Sequence, residues 1–587
     1  MAESYFETED ITKEYDSRII RRILSFLKPY KHLVIITLSA LAISTLAELF
    51  IPVLLQRIID DGLLVKNASF LVKGCFIYLL FLILAFGFSF LQTWTANLMT
   101  QHVMKDMRLG LYKKTLSQST EYLSRHPVGR IVTRLTSDVQ TMDEFFTTVL
   151  VAFLKDIAIM AGVIITLFFL SPQLAVIVLI TLPPVLIVTL ISRVKARDAF
   201  RKQRTASSKV YAYLAERLAG MQVVQLFRQE KKSSKEFNKN NRELLDANLG
   251  EMYVFATFRP MVEWFSTLTM AVVIVVGSKM ILSLSISLGV LIAFISLVQM
   301  FFQPVTDIAE KYTMLQSAMA GGEKVFKLMD TNEQISDNGT AEIGFARGHV
   351  EFENVYFAYK QGEDVLKGLS FSVKPGEMAA IVGYTGAGKT TIINVLARLW
   401  DINSGEIRLD GIPIKNIPIE KLRRAIMPVT QDVTLFSGTI EENISLGLEL
   451  SQEQIIDAAK TVHAHEFISR LPDGYKTVLS ERASNISTGQ RQLISFARVI
   501  AHNPRVVILD EATSSIDTET ERLIQLGIKN VLAGRTSFVI AHRLSTIKDA
   551  DRIFVLSGGK LAEEGRHEQL AVSGGLYSGL YRLQYED

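Results

Sequence analysis

A glycine-rich stretch is the part of the sequence with the clearest chemical potential. Residues 378–400 read MAAIVGYTGAGKTTIINVLARLW, which is an apolar run, a glycine loop and a run with helical spacing. Gly383, Gly388, Lys389 and Thr390 fit the pattern G-x-x-x-x-G-K-[ST]. Such glycines let backbone N–H groups approach phosphate oxygens, and the positive end of the following helix attracts an anion. We therefore expect Lys389 to contact the outer phosphates and Thr390 to bind Mg²⁺.

Two adjacent carboxylates follow a second apolar run, RVVILDEATSSID. Asp510 ends this run and Glu511 comes directly after it. An acid at the carboxyl end of a strand beside a phosphate loop suits Mg²⁺ coordination, usually through water. Glu511 has the right chemistry to polarise an attacking water. A lone acidic pair could also be a helix cap, but the phosphate loop earlier in the chain favours the metal site.

A soluble α/β domain is needed to position these side chains. From about Gly348 onward, short β-branched runs alternate with helical stretches. The strand, loop and helix around the glycine motif are typical of a P-loop NTPase. We therefore predict an α/β P-loop NTPase domain over residues 348–587.

The composition indicates that this domain is joined to a membrane part. The 587 residues are too many for one core, and 49% are apolar while 21% are charged. The net charge of +3 is too small to suggest a nucleic-acid partner. Cys75 is the only cysteine, which excludes disulfides within the chain and metal sites built from cysteine.

The first 325 residues hold six apolar segments long enough to cross a hydrocarbon core of ~30 Å. As buried helices of a soluble protein, these segments would leave too little polar surface to cover them. We therefore predict an all-α six-helix transmembrane domain over residues 1–325, followed by a linker at 326–347. The six segments are residues 32–52, 70–94, 149–170, 174–191, 265–284 and 287–302.

Basic residues in the connections predict the orientation. Lys and Arg are concentrated before the first segment and in residues 101–140 and 193–242, whereas the other connections are short. Both termini should therefore be cytoplasmic, and the protein should lie in the cell (inner, cytoplasmic) membrane. The two long inner connections show helical spacing and would offer a docking surface to the α/β domain.

Four ionisable residues fall within or beside the apolar segments: Glu48, Lys155, Asp156 and Glu263. Charge at that depth is costly, so such groups normally face a bundle interior or a water-filled cavity. One interpretation is pairing between helices. The other is a polar cavity wall in which Glu48 or Glu263 favours a cationic solute.

Five motifs in a fixed order carry a family resemblance. After the phosphate loop come PVTQD, ISTGQRQ, VVILDEATSSID and IAHRLST. This series resembles the ATP-binding cassette of the ABC transporter superfamily. The preceding apolar segments with long inner connections resemble its exporter half-transporters, such as one subunit of a bacterial heterodimeric multidrug exporter. The likeness covers essentially the whole chain.

The resemblance implies further residues of the nucleotide site. Tyr359 would stack on the adenine ring. Gln431 would sense the γ-phosphate and join the Mg²⁺ ligands. His542 would contact the γ-phosphate and hold the water geometry with Glu511. The remaining loop residues implied to bind nucleotide are Thr385, Gly386 and Thr391.

Two segments are implied to contact other domains. Ser515, Ile516 and Asp517 resemble the loop that crosses to the partner cassette. SRHPVGRIVTRLTSDV, at residues 124–139, resembles the family segment around the first coupling helix. We therefore expect contact with a cassette near residues 122–128.

The signature motif departs from the family pattern. In the family it is usually LSGGQ and completes the partner's ATP site, whereas residues 486–490 read ISTGQ. Ser487 would offer its hydroxyl to the γ-phosphate and Gly489 its backbone N–H, and Gln490 is retained. Thr488 adds a β-branched side chain where backbone and phosphate must approach closely. Two earlier positions that are glycine in the family also differ: Ser480 and Ala483.

This departure bears on assembly. A chain with a complete phosphate-loop side and an altered signature fits a heterodimer with one hydrolytic and one degenerate ATP site, paired with a second, non-identical half-transporter. The rival is a homodimer that tolerates Thr488.

The predicted function is ATP-driven export of a hydrophobic or amphiphilic substrate by alternating access, with ATP and Mg²⁺ as cofactors. A homodimeric exporter or lipid flippase stays open, as does an ATP-gated channel or regulator. A soluble ABC ATPase has no place for the apolar segments. Trp264, Phe301 and Phe302 are candidates for the cavity wall, but packing between helices is the better explanation of them.

Overall fold

The computed structural model describes residues 17–342, 346–360, 362–510, 518–540 and 544–585. They form two compact units. The first comprises the residues up to Leu116 together with Val128–Thr331, and the second comprises Ser117–Pro127 together with the residues from Asn332 onward. The second unit is thus assembled from two separate parts of the chain.

The described part of the first unit is built from α-helices. Two π-helical turns, Ile58–Leu63 and Phe145–Leu150, extend α2 and precede α7. The short helix α4 belongs to the second unit. The helices up to residue 330 are α1 Ser17–Ser25, α2 Lys31–Arg57, α3 Ala68–Leu116, α4 Thr120–Arg125, α5 Val128–Leu135, α6 Ser137–Glu144, α7 Val151–Leu170, α8 Pro172–Ile180, α9 Leu182–Ala219, α10 Met221–Leu226, α11 Glu230–Leu282 and α12 Leu288–Asp330.

Six helical stretches among the described residues are long and apolar enough to cross a membrane, which confirms the predicted fold of this domain. Several exceed the apolar segments read from the sequence. The 53 residues of α11 would extend about 80 Å at ~1.5 Å per residue, against a hydrocarbon core of ~30 Å. The six stretches are Lys28–Leu63, Ala68–Leu116, Val128–Leu170, Pro172–Ala219, Glu230–Leu282 and Leu288–Val305.

The fourth apolar segment is not one continuous helix. The helix predicted over residues 174–191 breaks at Thr181, between α8 and α9. Pro183 and Pro184 explain the break, because a proline has no N–H to donate to the carbonyl four residues earlier.

The last helix of the first unit continues past the expected domain boundary. The linker was expected from residue 326, but α12 continues to Asp330 and the two units divide after Thr331. The sequence MLQSAMAGGEKVFKLMD at 314–330 has lost membrane-type hydropathy but keeps strong helix formers, so the helix continues beyond the apolar segment.

The described residues of the second unit form two main β-sheets. A six-stranded sheet has the order β12-β11-β3-β10-β9-β6, with only β12 antiparallel to its neighbour, and a four-stranded antiparallel sheet has the order β2-β1-β4-β5. This confirms the predicted α/β class. The strands are β1 Val350–Ala358, β2 Asp364–Val373, β3 Met378–Gly383, β4 Ser404–Leu409, β5 Ile412–Pro413, β6 Ile426–Val429, β7 Gly438–Thr439, β8 Val478–Leu479, β9 Val506–Asp510, β10 Thr536–Ile540, β11 Arg552–Ser557 and β12 Lys560–Gly565.

The parallel strands are apolar on both faces because helices or the second sheet cover them. The side chains of β10 are all buried, as are the first four of β9. Such two-sided burial is typical of parallel sheets and explains the continuous apolar runs in the sequence. The helices of this unit after residue 388 are α13 Lys389–Leu396, α14 Ile419–Ala425, α15 Ile440–Ser445, α16 Gln452–Thr461, α17 His465–Ile468, α18 Thr488–His502, α19 Thr518–Leu532, α20 Leu544–Lys548, α21 His567–Val572 and α22 Leu576–Tyr585.

Candidate nucleotide site

The glycine loop joins the central strand β3 to helix α13, as the sequence predicts. Gly388 has a φ of +103° and directly precedes α13, and only glycine adopts that backbone without strain. At Gly383 a Cβ would lie 2.5 Å from the carbonyl oxygen of Leu556, so no larger residue fits there. The motif glycines thus meet backbone requirements of the fold at the start of a helix, where backbone N–H groups suit an anion.

Lys389 is the first residue of α13 and turns back over the loop. Its Nζ donates hydrogen bonds to the carbonyl oxygens of Gly383 and Tyr384. Burial lowers the pKa of Lys389, and the negative charge of Asp510 partly opposes this. A half-buried ammonium that is incompletely compensated is well suited to bind an anion.

Parallel strands bring the other predicted groups to the same edge of the sheet. Asp510 ends β9, and the β10 residue paired with it, Ile540, is also paired with Ile381 of β3. Gln431 follows β6, which pairs in parallel with β9, and its side chain is exposed. Ligands of open parallel sheets bind at this carboxyl edge.

Several predicted residues lie outside the described part of the chain. Strand β10, which lies between β3 and β9, ends at Ile540, two positions before His542. The predicted residues outside the described ranges are Glu511, Ser515, Ile516, Asp517 and His542.

The groups proposed for Mg²⁺ have suitable chemistry. Thr390 is exposed on the first turn of α13, and Asp510 is half-buried at the end of β9. With Gln431 they supply a hydroxyl, a carboxylate and an amide oxygen, which are the hard donors that Mg²⁺ takes together with phosphate oxygens.

Tyr359 lies beside α13, but its hydroxyl is already bonded. It donates to Thr391 Oγ1 at 3.3 Å and accepts from Asn394 Nδ2 at 2.9 Å. The Trp400 ring meets it edge-on, with the centroids 4.8 Å apart. The sequence predicted neither Asn394 nor Trp400 as the support of this ring. Thr391 is buried and acts here as the partner of Tyr359, whereas the loop residues Thr385 and Gly386 are exposed.

The signature residues form the start of helix α18. The Ser487 hydroxyl accepts from the Gln490 N–H at 3.2 Å, and Gln490 Oε1 accepts from the Ser487 N–H at 3.0 Å. This reciprocal pair is a capping box. Gly489 is buried in the first turn, whereas Ser487 and Thr488 are exposed. The altered signature is therefore a well-formed helix start.

The substituted positions are accommodated locally. Thr488 Oγ1 accepts from Arg491 Nη2 at 2.9 Å, and the same guanidinium donates to the Arg482 carbonyl at 3.2 Å. Ala483, which replaces a family glycine, is buried with a φ of +50°. A left-handed backbone at a non-glycine residue is strained, which gives the family preference for glycine a physical reason.

The segment Ser117–Pro127, the 117–127 segment hereafter, belongs to the same unit as the cassette fold. It contains α4 and the buried Tyr122. Of the residues 122–128 that were expected near a cassette, 122–127 therefore lie in the unit that contains the cassette fold. Polar contacts join it to the linker: Gln334 Nε2 donates to Ser117 Oγ at 2.7 Å, and Arg125 lies 3.9 Å from Glu333. Residue 128 begins α5, in the other unit.

Two ion pairs join different helices at the charged residues of the first and third apolar segments. Lys155 of α7 donates to Glu48 of α2 at 2.8 Å, and Lys311 of α12 donates to Asp156 at 2.5 Å. Because they are adjacent, Lys155 and Asp156 point to different neighbouring helices. The pairing interpretation therefore fits, and Glu48 does not present an uncompensated charge to a solute.

The remaining residues considered for a cavity wall divide into two kinds. Phe301 and Phe302 are 2% and 3% exposed and pack in the core of the first unit, so they are helix-packing residues. Trp264 is exposed on α11, and Glu263 beside it lies 3.5 Å from Arg259 on the same helix.

Family models match both parts of the chain. The model of the ABC transporter transmembrane region matches residues 34–305, and the ABC transporter model matches residues 366–514. An uncharacterized ABC transporter ATP-binding protein of Bacillus subtilis (strain 168), YknV, is 38% identical over 585 residues, covering 99% of this chain and 97% of that protein. The chain belongs to the ABC transporter family.

Other relatives of this ABC transporter have more specific names. An ATP-dependent lipid A-core flippase of Dechloromonas aromatica (strain RCB) is 34% identical over 571 residues, which is 96% of this chain and 97% of the flippase. A probable multidrug resistance ABC transporter ATP-binding/permease protein of Bacillus subtilis (strain 168), YheH, is 35% identical over 517 residues, which is 86% of this chain and 75% of that protein.

These findings define the general activity. The chain is an exporter-type ABC half-transporter, a multi-pass membrane protein in which a helical membrane domain is fused to an ATP-hydrolysing cassette. Its ATP hydrolysis is coupled to transport.

Proposed function

We propose that this ABC transporter exports a hydrophobic or amphiphilic substrate as one half of a pair of unlike chains. One ATP site of the pair hydrolyses, and the other is degenerate. The observation that carries the proposal is the contrast within this one chain between a complete phosphate-loop side and Thr488 at the exposed start of α18. The pair would lie in the cell membrane with its termini in the cytoplasm.

The paired charges support an uncharged or amphiphilic substrate. Removing Lys155 or Lys311 from its partner would leave a part-buried carboxylate without compensation, so these pairs are better suited to join helices than to bind a cation. The lipid A-core flippase and the multidrug resistance protein named above point to the same class of substrate.

At the hydrolytic site the chain's own residues would position the reaction. Lys389 would exchange its loop carbonyls for the outer phosphate oxygens, and Tyr359 would contact the adenine ring. Thr390, Asp510 and Gln431 would hold Mg²⁺, which neutralises charge on the phosphates. Beyond the described residues, Glu511 would orient the attacking water and His542 would contact the γ-phosphate. Cassette closure and its release would then alternate the access of the spans.

At the degenerate site Thr488 would weaken the grip on the partner's nucleotide. Its side chain adds bulk at the helix start, and Arg491 holds the hydroxyl in place. Phosphoryl transfer depends on positioning and charge stabilisation, so a small displacement there is costly. Ser515 and Asp517 would complete the contact with the partner cassette.

Thr488→Gly tests the arrangement in the chain purified with its co-expressed neighbour. If Thr488 faces only the degenerate site, ATP turnover of the pair should change less than about twofold, whereas Glu511→Gln should abolish it by removing the group that orients the water. Thr488→Ser is the matched control because it keeps the hydroxyl that Arg491 contacts.

The second candidate is a homodimer, which the intact capping box of Ser487 and Gln490 favours because the helix start tolerates threonine. In that case the chain alone should show substrate-stimulated turnover, and Thr488→Gly should raise turnover at two identical sites. Strong turnover by the chain alone would therefore contradict the heterodimer.

A further inference from the structure

The stretch between α12 and the cassette, residues 332–342, is bonded to other parts of its unit at both ends; we call it the strap. Near its start, the carbonyl of Glu333 accepts from the Ser119 N–H at 2.8 Å. The Glu333 N–H donates to Gln118 Oε1 at 3.2 Å. The strap is therefore attached to the 117–127 segment, which joins α3 to α5 in the chain.

Further along, the strap is attached to the cassette beside helix α14. The Asp337 carboxylate accepts from the Ile419 N–H at 3.0 Å and so caps the first residue of α14 from outside that helix. The Ala341 N–H donates to the Asn416 carbonyl at 2.9 Å. The middle and end of the strap therefore have fixed positions on the cassette.

Arg398 connects the strap to the phosphate loop. It lies two residues beyond α13, the helix that begins at the loop, and is 3% exposed. Its Nη2 donates to the Ser336 carbonyl at 2.7 Å and its Nε to Asp401 at 3.1 Å. The buried Nη1 has no acceptor among the described residues. Arg398 therefore has one donor left that could bond the strap if the strap shifts.

The backbone at Arg398 argues that its side chain is needed. Its φ is +49°, in the region where helices commonly end with glycine. A residue other than glycine is strained there, and such strain persists where the surroundings enforce it. The contact between the Arg398 guanidinium and Ser336 accounts for an arginine at this position.

We propose that the strap couples nucleotide at the phosphate loop to the 117–127 segment of the same chain, with Arg398 as the positioning residue. A shift of α13 on binding phosphate would move Arg398, the strap through Ser336, and the 117–127 segment through Glu333. This route rests on the proposed ATP function, and it runs through covalently continuous and hydrogen-bonded parts of one compact unit.

Gly339 offers an independent way to disturb the strap. A Cβ at this position would lie 2.3 Å from the backbone carbon of Ile417, so Gly339→Ala must push the strap away from the cassette. Gly579 is the matched control, because a Cβ there has nothing within 4 Å.

The test is hydrogen exchange of the full chain with its co-purified partner in lipid nanodiscs. All samples carry Glu511→Gln to prevent turnover and are compared with and without ATP and Mg²⁺. Peptides from residues 383–396 report nucleotide binding, and peptides from 117–127 report coupling. Arg398→Asn removes the guanidinium while tolerating the left-handed backbone.

With the strap intact, nucleotide should slow exchange in both regions. Arg398→Asn and Gly339→Ala should keep the response at 383–396 and reduce that at 117–127 by roughly fivefold or more, the lower range of allosteric couplings. Arg398→Lys should restore part of the response at 117–127, and Gly579→Ala should leave the response of both regions unchanged.

Two results would contradict the proposed coupling through the strap. The first is a full response at 117–127 in both variants, and the second is loss of the response at 383–396 along with it, which would indicate general damage. If 383–396 fails to respond even with the strap intact, the proposed ATP function itself is refuted.

Discussion

Single residues of the nucleotide site are held by partners that a bound phosphate would have to replace. Lys389 donates to two loop carbonyls, and its half-buried ammonium has a lowered pKa because burial disfavours the charged form. The charge is therefore costly to the folded protein without nucleotide and favourable with it. Function, rather than stability, accounts for a lysine here.

Lys389→Met should separate these two effects. The protein without nucleotide should not lose thermal stability, because the substitution removes a charge that burial disfavours. ATP with Mg²⁺ at a hundred times the Kd should stabilise the unchanged protein by about 2.7 kcal/mol, and this gain should vanish in the variant. The measurement is the unfolding temperature with and without ATP and Mg²⁺.

Lys367→Met is the control, because Lys367 is exposed on β2. It should keep the full stabilisation by nucleotide. An undiminished gain in Lys389→Met would contradict the role assigned to the ammonium.

At the scale of elements, α7 is joined to two neighbouring helices by ion pairs. Lys155 reaches α2 and Asp156 reaches α12, and the side chains of both pairs are at most about one-quarter exposed. Breaking a buried pair costs more than replacing both partners, because the charge that remains has no compensation. The pairs therefore fix which helices are neighbours.

A double-mutant cycle on Glu48 and Lys155 should show this asymmetry. Glu48→Gln or Lys155→Met alone should destabilise the protein by up to about 3–5 kcal/mol, and the double substitution by much less. The measurement is the denaturation midpoint in detergent. The exposed pair Arg259 and Glu263 is the comparison and should show a coupling below about 1 kcal/mol. If the stability losses of the two single substitutions at Glu48 and Lys155 add up in the double substitution, the two side chains do not interact.

Elements whose determinants are local could be predicted from the sequence, and contacts between distant residues could not. The phosphate loop, the buried strands and the apolar spans follow from composition and spacing over a few residues. The Asp60 carboxylate, by contrast, accepts from the Gly289 N–H at the start of α12, 229 positions away. No local pattern indicates such a partner.

The candidate site shows the same division. The roles of Lys389, Thr390 and Asp510 were readable from a recognisable strand or loop beside each of them, whereas that of Gln431 came from the family resemblance alone. The partners of Tyr359, the bond between Thr488 and Arg491, and the strap depend on how distant segments pack. The break at Thr181 was not predicted, because the hydropathy is continuous on either side of the two prolines that cause it.

At the scale of the whole molecule, hydropathy determines which helices can span a membrane, and the charges of the connections predict their orientation. The helical stretches that could span a membrane carry basic residues in the C-terminal halves of α3 and α9 and at the start of α11, which the positive-inside rule assigns to the cytoplasm. The orientation remains our prediction, and a single-cysteine chain makes it easy to test.

In a Cys75→Ser background, Val65→Cys and Ser234→Cys should label from opposite sides. Val65 is exposed in the connection between α2 and α3, and Ser234 is exposed near the start of α11. A membrane-impermeant maleimide should label residue 65 in intact cells and residue 234 only after permeabilisation, because the basic connections stay inside. The reverse pattern would invert the topology, and Cys75→Ser alone controls for background labelling.

The reciprocal bonds between Ser487 and Gln490 have a consequence for each transport cycle. Ser487 Oγ accepts the Gln490 N–H, and a hydroxyl can donate its own proton at the same time, so Ser487 can donate its O–H to a γ-phosphate while it keeps the Gln490 N–H. Ser487 is exposed, so this O–H exchanges a water acceptor for a phosphate oxygen, and the net free energy of such an exchange is only about 1 kcal/mol. Nucleotide can therefore bind and leave without breaking the helix start.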